Sequence, residues 1–355
     1  MLIVRAPVRI SLAGGCTDLP VYYEEHGGLV VSTSIDKYFY CFVTLTDADS
    51  VQITSSDYRT YFRQQRGTPL EWGGDLSLPR AFLHEFGIDA GISLFLASEV
   101  PPGTGLGSSG AVSVALAKAL SAVRGRAKTK YDLAELASFV EINKLGRPIG
   151  RQDQYASAFG GLNAIRFERR CIQVEPLNLP RATVETLERR LLLFFTGASR
   201  NSGSILKHQQ AATRQQNPAT IESLHRIKAL AETTIELLRA GELDRYGALL
   251  HESWETKKRL TQGITNAQID RWYDVARAHG AVGGKLTGAG GGGFFLLYCH
   301  EHVQAAVTSA LELNGLVRMD FRFDEGGAAV LMDSLPAAHH LVRPNSMLAE
   351  SALDA

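Results

Sequence analysis

The feature that most constrains this chain is a glycine- and serine-rich segment, residues 101–110, which reads Pro-Pro-Gly-Thr-Gly-Leu-Gly-Ser-Ser-Gly. It follows a β-type run at 92–99 and precedes an Ala- and Leu-rich run at 111–123 that is typical of a largely buried helix. Glycines allow backbone N–H groups to converge, and the helix adds its N-terminal dipole and free donors. The segment therefore predicts an anion site that suits a di- or triphosphate.

The two serines of this segment, Ser108 and Ser109, add hydroxyls that can reach a phosphate oxygen or a bound Mg²⁺. The simplest alternative is a strand-to-helix turn with a serine cap, but one turn does not need four glycines and two serines. A Walker A loop is another alternative, and it requires a Lys after the last glycine that this segment lacks.

The pattern GxGxxG at 105–110 also matches a dinucleotide-binding loop. In such a loop the first glycine directly follows its strand, and an acid ends a second strand about twenty residues later. Here two prolines intervene, and the acid at that distance, Asp132, falls in the first turn of a predicted helix. The oxidoreductase interpretation is therefore disfavoured.

The bulk composition limits the partners of the chain. Lys plus Arg and Asp plus Glu each number 37, so no global charge recruits nucleic acid or a membrane surface. The four cysteines are scattered, which disfavours a zinc site and a disulfide framework. Without a signal peptide or a long apolar run, we expect a cytoplasmic protein, a monomer or homodimer that acts on a small molecule.

At 355 residues the chain is long enough for two domains. Prolines at 176 and 180 suggest the boundary, so we predict domains at 1–180 and 181–340 and a frayed tail at 341–355. The first half predicts a mostly antiparallel sheet, with strands at 2–4, 28–35, 39–45, 51–54 and 92–99 and helices at 111–123 and 131–145. The second half predicts an α+β unit, with helices across 217–278 and at 301–313 and strands at 191–195, 281–286, 293–298 and 317–323.

Two carboxylates after the glycine segment are candidates for catalysis. Glu141 lies late in the predicted helix 131–145, and Asp153 follows a Gly/Pro turn that allows the chain to reverse. Both side chains could therefore face one pocket. A kinase needs one carboxylate for Mg²⁺ and often another to orient or deprotonate the attacking hydroxyl. The alternative for each acid alone is a solvated surface carboxylate.

Two further segments are unusual. Residues 5–18 run from a strand into a glycine turn that ends in Thr17 and Asp18, and such a turn can present a carboxylate to a polyol or serve only as an Asx turn. Residues 285–293 hold five glycines in six positions, 288–293. Ordering so many glycines is costly unless a ligand approaches the backbone, so we predict a mobile lid, with a β-bulge cluster as the alternative.

Together, segments 6–18, 102–111 and 285–293 resemble the three motifs of the GHMP kinase superfamily, in the same order. The resemblance implies an α+β, two-domain GHMP kinase fold, with an N-terminal domain like domain 2 of ribosomal protein S5 and a ferredoxin-like C-terminal domain. It implies ATP and Mg²⁺ as cofactors, an active site between the domains, Asp153 and Arg9 as catalytic residues, and Ser109 and Glu141 as metal ligands. The implied nucleotide-binding residues are Pro102, Gly103, Gly105, Leu106, Gly107, Ser108, Ser109 and Gly110, and the implied substrate-binding residues are Gly14, Gly15, Thr17, Asp18, Gly288, Gly290 and Gly291.

Within the superfamily the chain is most similar to the branch of D-glycero-D-manno-heptose 7-phosphate kinases. Arg9 stands where galactokinases have an arginine, and Gln152 to Gly161 resembles the branch's Gln-Asp-Gln-Tyr-Ala segment. This implies phosphorylation of the anomeric hydroxyl, which gives a 1,7-bisphosphate. Cys16 replaces the third glycine of the branch's Gly-Gly-Gly-Thr-Asp turn, at a cost of about 1–2 kcal/mol if the position requires a positive φ.

Three alternatives stay open at this point: a kinase for another sugar or sugar phosphate, a kinase for an isoprenoid alcohol such as mevalonate, and a sugar sensor without activity. The sensor would be expected to lack the two carboxylates, which this chain retains. A distal phosphate would need cations, and the candidates near the motifs are Lys37, Arg80, Arg147 and Arg151.

Overall fold

The structure is a computed structural model that describes residues 1–68, 73–198 and 202–335. Its described strands are β1 Leu2–Ala13, β2 Gly28–Leu45, β3 Ser50–Ser55, β4 Thr60–Gln65, β5 Ile92–Ser98, β6 Leu162–Phe167, β7 Ile172–Pro176, β8 Leu191–Phe195, β9 Gly283–Leu286, β10 Phe294–Tyr298, β11 Val317–Arg318 and β12 Ala329–Asp333. The α-helices are α1 Pro20–His26, α2 Ser77–Glu85, α3 Ser108–Val123, α4 Lys130–Ser138, α5 Gln152–Phe159, α6 Arg181–Arg190, α7 Ser202–Arg214, α8 Pro218–Ala240, α9 Leu243–Lys258, α10 Ala267–Ala278 and α11 Gln304–Leu313.

The first sheet has the strand order β12-β1-β2-β5-β3-β4, and β6 and β7 extend it from β2. Its pairs are antiparallel apart from β3 with β5, as the prediction of a mostly antiparallel sheet required. The predicted strands 28–35 and 39–45 form one continuous strand, β2, because no Gly or Pro interrupts the chain between them. Strand β1 is buried along most of its length because α3, α5, α8 and α9 all pack on it.

The second sheet is antiparallel with the order β11-β8-β10-β9, and helices α8, α9 and α10 form the helical region predicted for 217–278. The prediction of one strand over 317–323 was too long, since pairing with β8 ends at Arg318 and an isolated bridge joins Phe323 to Ile35. Strand β12 leaves this half and pairs antiparallel with β1, so the described end of the chain returns to the first sheet. The boundary at 180 stays a prediction, and the tail 341–355 lies outside the described residues.

Two local features follow from the sequence. Thr129 caps α4 through a capping box, in which its hydroxyl and backbone N–H exchange hydrogen bonds with Asp132. Among the helices in the described ranges, none combines the length and apolar content that crossing a membrane requires.

Candidate active site

The loop between β5 and α3 lies against the glycine loop between β9 and β10. A Cβ at Gly105 would lie 2.6 Å from the carbonyl oxygen of Thr287, and a Cβ at Gly288 would lie 2.6 Å from the Cα of Gly105. Both glycines have positive φ values, 83° and 65°. Backbone therefore packs directly on backbone where the two halves of the chain meet, and only glycine fits at these two positions.

The second glycine loop is anchored, which differs from the mobile lid predicted from its composition. The N–H of Gly291 donates to Ile264 O at 2.8 Å, and the N–H of Gly293 donates to Ala198 O at 2.9 Å. The Lys257 ammonium donates to Gly288 O. Glycines permit close packing as well as motion, and composition does not separate the two uses, so the mobile lid stays a prediction.

Helix α3 begins at Ser108, directly after Gly107 in a left-handed conformation with φ 77°. The Ser108 hydroxyl is buried and has no hydrogen-bond partner among the described residues. A buried hydroxyl without a partner destabilises the protein by about 1–3 kcal/mol. A phosphate oxygen at the start of this helix would supply the missing partner.

Glu141 lies in a π-helical turn, Phe139–Lys144, where the sequence predicted a continuous α-helix over 131–145. The wider turn is visible in the hydrogen bond from Leu145 N to Val140 O at 3.0 Å. Single π turns occur frequently at functional sites. Here the turn directs a fully buried carboxylate towards the start of α3.

The Glu141 carboxylate is surrounded by donors. Its Oε1 accepts a hydrogen bond from Gln154 Nε2 at 2.8 Å, and its Oε2 accepts one from Arg147 Nη1 at 2.9 Å and another from the Ser109 hydroxyl. Arg147 Nη1 also lies 2.6 Å from Ser109 Oγ. Neither Gln154 nor this role of Arg147 was predicted from sequence, because both depend on the π turn bringing distant residues together.

The Glu141 and Ser109 oxygens are suitable ligands for Mg²⁺, which prefers a few carboxylate and hydroxyl oxygens together with nucleotide phosphates. The Arg147 guanidinium contacts both oxygens in this structure, so the position already holds a positive charge. The predicted metal ligands are therefore brought together, and their chemistry fits the ion.

Arg9 and Asp153 form an ion pair between the two glycine loops. Arg9 Nε and Nη2 both donate to Asp153 Oδ1, at 2.9 and 2.5 Å, and Arg9 Nη1 donates to Gly105 O at 2.7 Å. Asp153 lies in the first turn of α5. A Cβ added at Gly110 would lie 2.6 Å from the Cβ of Asp153. Gly110 thus allows the starts of α3 and α5 to approach closely enough to place Asp153 beside the loop.

Asp18 lines the same cavity as this pair. Its Oδ1 accepts hydrogen bonds from Cys16 N and Gln152 Nε2, both at 3.1 Å, and its Oδ2 accepts one from Gln152 N at 3.1 Å. Burial and the nearby Asp153 carboxylate raise the pKa of Asp18 to about 6. The carboxylate is fixed in position, and its charge changes in the acidic range.

Two residues of the predicted substrate site, Gly14 and Thr17, lie in the turn before Asp18. The Thr17 side chain is fully buried, and its hydroxyl bonds Gly14 O at 2.8 Å and Leu29 O at 2.9 Å. A Cβ at Gly14 would lie 1.9 Å from the same Leu29 oxygen. Gly14 and Thr17 therefore hold the turn against β2 and do not line the cavity.

Cys16 has a φ of 82°, so the positive value that its position was suspected to need is present. A side chain in this left-handed region costs about 1–2 kcal/mol relative to Gly. The Cys16 side chain lines the cavity beside Asp18, and burial raises the pKa of its thiol. The departure from the glycine pattern therefore changes the wall that faces the substrate.

Two cavities meet at Ser108 and Ser109. The lining of the first includes Arg9, Cys16, Asp18, Gly103, Gly105, Gly107, Asp153, Gly288 and Gly290. The lining of the second includes Phe39, Leu76, Leu96, Val100, Pro102, Val112 and Arg147. The remaining predicted residues lie elsewhere: Leu106 and Gly110 pack behind the loop, Gly15 lines an adjacent small pocket, and Gly291 lines neither cavity.

Comparison with known proteins identifies the architecture. Residues 77–161 match the model of the GHMP kinases N terminal domain, and residues 234–315 match that of the GHMP kinases C terminal domain. The chain therefore contains both the N-terminal and the C-terminal domain of GHMP kinases. The two-part α+β fold that the motifs implied is confirmed.

Known relatives align with nearly the whole of this chain. The D-glycero-alpha-D-manno-heptose 7-phosphate kinase of Campylobacter jejuni is 29% identical, over 91% of this chain and 96% of its own. A crystal structure of a D-glycero-D-manno-heptose 1-phosphate kinase from Bacteroides thetaiotaomicron has a TM-score of 0.78 at 29% identity, over 94% of this chain and 99% of its own. The mevalonate kinase of Thermococcus gammatolerans is 27% identical, over 88% of this chain and 93% of its own. The chain is therefore an enzyme, a kinase of the sugar-kinase type.

Proposed function

We propose that this enzyme transfers the γ-phosphoryl group of ATP to the anomeric hydroxyl of D-glycero-D-manno-heptose 7-phosphate and forms the 1,7-bisphosphate. The observation that carries the proposal is the Arg9–Asp153 pair, which lies where a phosphate-binding loop meets a cavity lined by polar groups. The heptose 7-phosphate kinase relative, similar over nearly its full length, supports the choice of acceptor.

The nucleotide side is formed by the loop 101–107 and the start of α3. The apolar cavity lined by Phe39, Leu96 and Val112 suits the base, and the backbone N–H groups and the Ser108 hydroxyl receive the phosphates. Glu141 and Ser109 would hold Mg²⁺, which neutralises charge on the transferred phosphoryl group when it is bound. Arg147 lies at the same place and adds a second positive charge near the phosphates.

On the acceptor side, Asp153 orients the anomeric hydroxyl and accepts its proton. The hydroxyl oxygen bonds to the γ-phosphorus as the bond to the β–γ bridging oxygen breaks, and ADP leaves with that electron pair. Arg9 holds one Asp153 oxygen, and its guanidinium stabilises the charge that develops on the transferred group. Asp18, fixed by Gln152, accepts hydrogen bonds from neighbouring sugar hydroxyls.

The test is ADP release with Mg²⁺-ATP and a panel of acceptors. The panel holds D-glycero-D-manno-heptose 7-phosphate, the same heptose without phosphate, galactose, fucose and mevalonate. We expect the highest kcat/KM for the heptose 7-phosphate. A higher value for mevalonate or for an unphosphorylated sugar would contradict the proposed acceptor, and no ADP release with any acceptor would contradict the proposed chemistry.

A further inference from the structure

A small pocket beside the main cavity holds two buried lysines. It shares Gln152 and Gly288 with the main cavity. Lys257 comes from α9 and Lys285 from β9, and their exposed fractions are only 7% and 4%. Lysine is almost never buried to this extent without a partner of opposite charge.

Within the described ranges, neither lysine forms an ion pair with a carboxylate. Lys257 donates to two backbone carbonyls, Leu286 O at 3.2 Å and Gly288 O. The Lys285 side chain has no hydrogen bond to any residue that the structure describes. Burial, the Lys257 ammonium and the Arg9 guanidinium lower the pKa of Lys285 well below its usual value. The pocket therefore disfavours the charged form of Lys285, and a bound anion would restore that form.

Gln152 adds an unsatisfied acceptor in the same pocket. Its Nε2 donates to Asp18 Oδ1 at 3.1 Å, whereas its Oε1 is buried and has no partner among the described residues. A ligand that satisfies this pocket must bring negative charge for the lysines and a hydroxyl for the amide oxygen. A phosphorylated polyol carries both groups.

The four cations that the sequence suggested for a distal phosphate are engaged elsewhere: Lys37 with Asp36, Arg80 with Leu76 O, Arg147 with Glu141, and Arg151 with Glu135. Lys257 and Lys285 were not considered, because a lysine on a helix and another on a strand 28 residues later become neighbours only through the packing of α9 on β9.

We propose that the pocket lined by Lys257, Lys285 and Gln152 binds the anionic group of the phosphoryl acceptor, and that this group is a phosphate monoester. The inference rests on the proposed function, in which the acceptor is a sugar phosphate. It assigns selectivity for phosphorylated over unphosphorylated sugars mainly to Lys285, because that ammonium has no role within the protein. A carboxylate is the other anion of suitable chemistry, and mevalonate tests it.

The decisive variant is Lys285→Met, which keeps the length of the side chain and removes the ammonium. The kcat/KM for heptose 7-phosphate should fall on the order of 100-fold, while kcat/KM for the unphosphorylated heptose stays within about twofold of wild type. The thermal midpoint should stay the same or rise, since an unpaired buried charge destabilises the fold. Lys258→Met is the matched control, because Lys258 lies next to Lys257 on helix α9 but pairs with Glu255 outside the pocket.

A binding measurement separates this inference from the proposed function. Inorganic phosphate is titrated calorimetrically into the full chain, with Mg²⁺ and a non-hydrolysable ATP analogue filling the glycine loop. Wild type and Lys258→Met should bind phosphate, and Lys285→Met should bind it at least tenfold more weakly. If no sugar phosphate is a substrate but this difference in phosphate affinity persists, the proposed function is wrong, whereas the assignment of the pocket as an anion site is supported.

Equal phosphate binding by wild type and Lys285→Met would overturn the inference, as would an unchanged preference for the phosphorylated sugar. Loss of mevalonate turnover alone in Lys285→Met would overturn the assignment to a phosphate and favour a carboxylate. If Lys285→Met does not fold, Lys285→Gln replaces it with the same expected outcomes.

Discussion

The donor side and the acceptor side of the site differ in how far the protein pairs its own buried charged groups. On the donor side, Glu141 is bonded by Ser109, Arg147 and Gln154, so its buried charge is compensated. On the acceptor side, Lys285 lacks a partner among the described residues, Asp18 has a raised pKa and Cys16 has a strained backbone. The comparison suggests that the nucleotide site is largely preformed, whereas the acceptor supplies interactions that its own pocket lacks.

The largest expected effect lies at the boundary between the two sides. Asp153→Asn should lower kcat about 10²–10⁴-fold and leave ATP affinity within about twofold, because the amide keeps the shape but cannot accept the proton. Steady-state kinetics and nucleotide titration measure the two quantities. Turnover at the wild-type rate would show that Asp153 is not the base.

The donor side is tested by Glu141→Gln. The substitution removes a carboxylate ligand and leaves Arg147 without its ion pair, so the Mg²⁺ concentration for half-maximal rate should rise on the order of 10–100-fold. A magnesium titration at saturating ATP checks this, with Glu135→Gln as a control carboxylate on the neighbouring helix α4. An unchanged magnesium dependence would place the metal ligand elsewhere.

The acceptor side should respond to pH through Asp18. Its pKa is raised to about 6, so the carboxylate is charged above that pH and loses its charge as the pH falls through 6. The kcat/KM for the sugar should therefore decline about tenfold per pH unit below 6, and Asp18→Asn should lack this acid limb at a lower overall rate. A pH profile without a limb near 6 would mean that the charge of Asp18 does not act on the acceptor.

The smallest effect concerns the strained turn. Cys16→Gly should be more stable than Cys16→Ala by about 1 kcal/mol, because only glycine adopts a φ of 82° without strain. Chemical denaturation of both variants measures the difference. Equal stabilities would show that the surrounding turn relaxes when the thiol is removed.

Much of the phosphate loop was predictable, because a short motif with special backbone requirements determines it locally. Arg9 and Asp153 were named through the resemblance to GHMP kinases, and their ion pair joins residues that are 144 positions apart. The π turn at Glu141 was not predictable, since the apolar spacing there is also compatible with an ordinary α-helix. The buried role of Thr17 depends on contacts with Leu29 across the turn. Lys257 and Lys285 become neighbours through long-range packing of α9 on β9, and β12 returns to β1 in the same way. Residue patterns do not encode such packing locally.

The most direct test of the proposed function is phosphorus NMR of the product formed from Mg²⁺-ATP and D-glycero-D-manno-heptose 7-phosphate. The account predicts two sugar phosphate resonances of equal intensity, one of them coupled to the anomeric proton. A product whose new phosphate couples to any other proton, or a heptose 7-phosphate that stays unchanged while another acceptor is consumed, would contradict it.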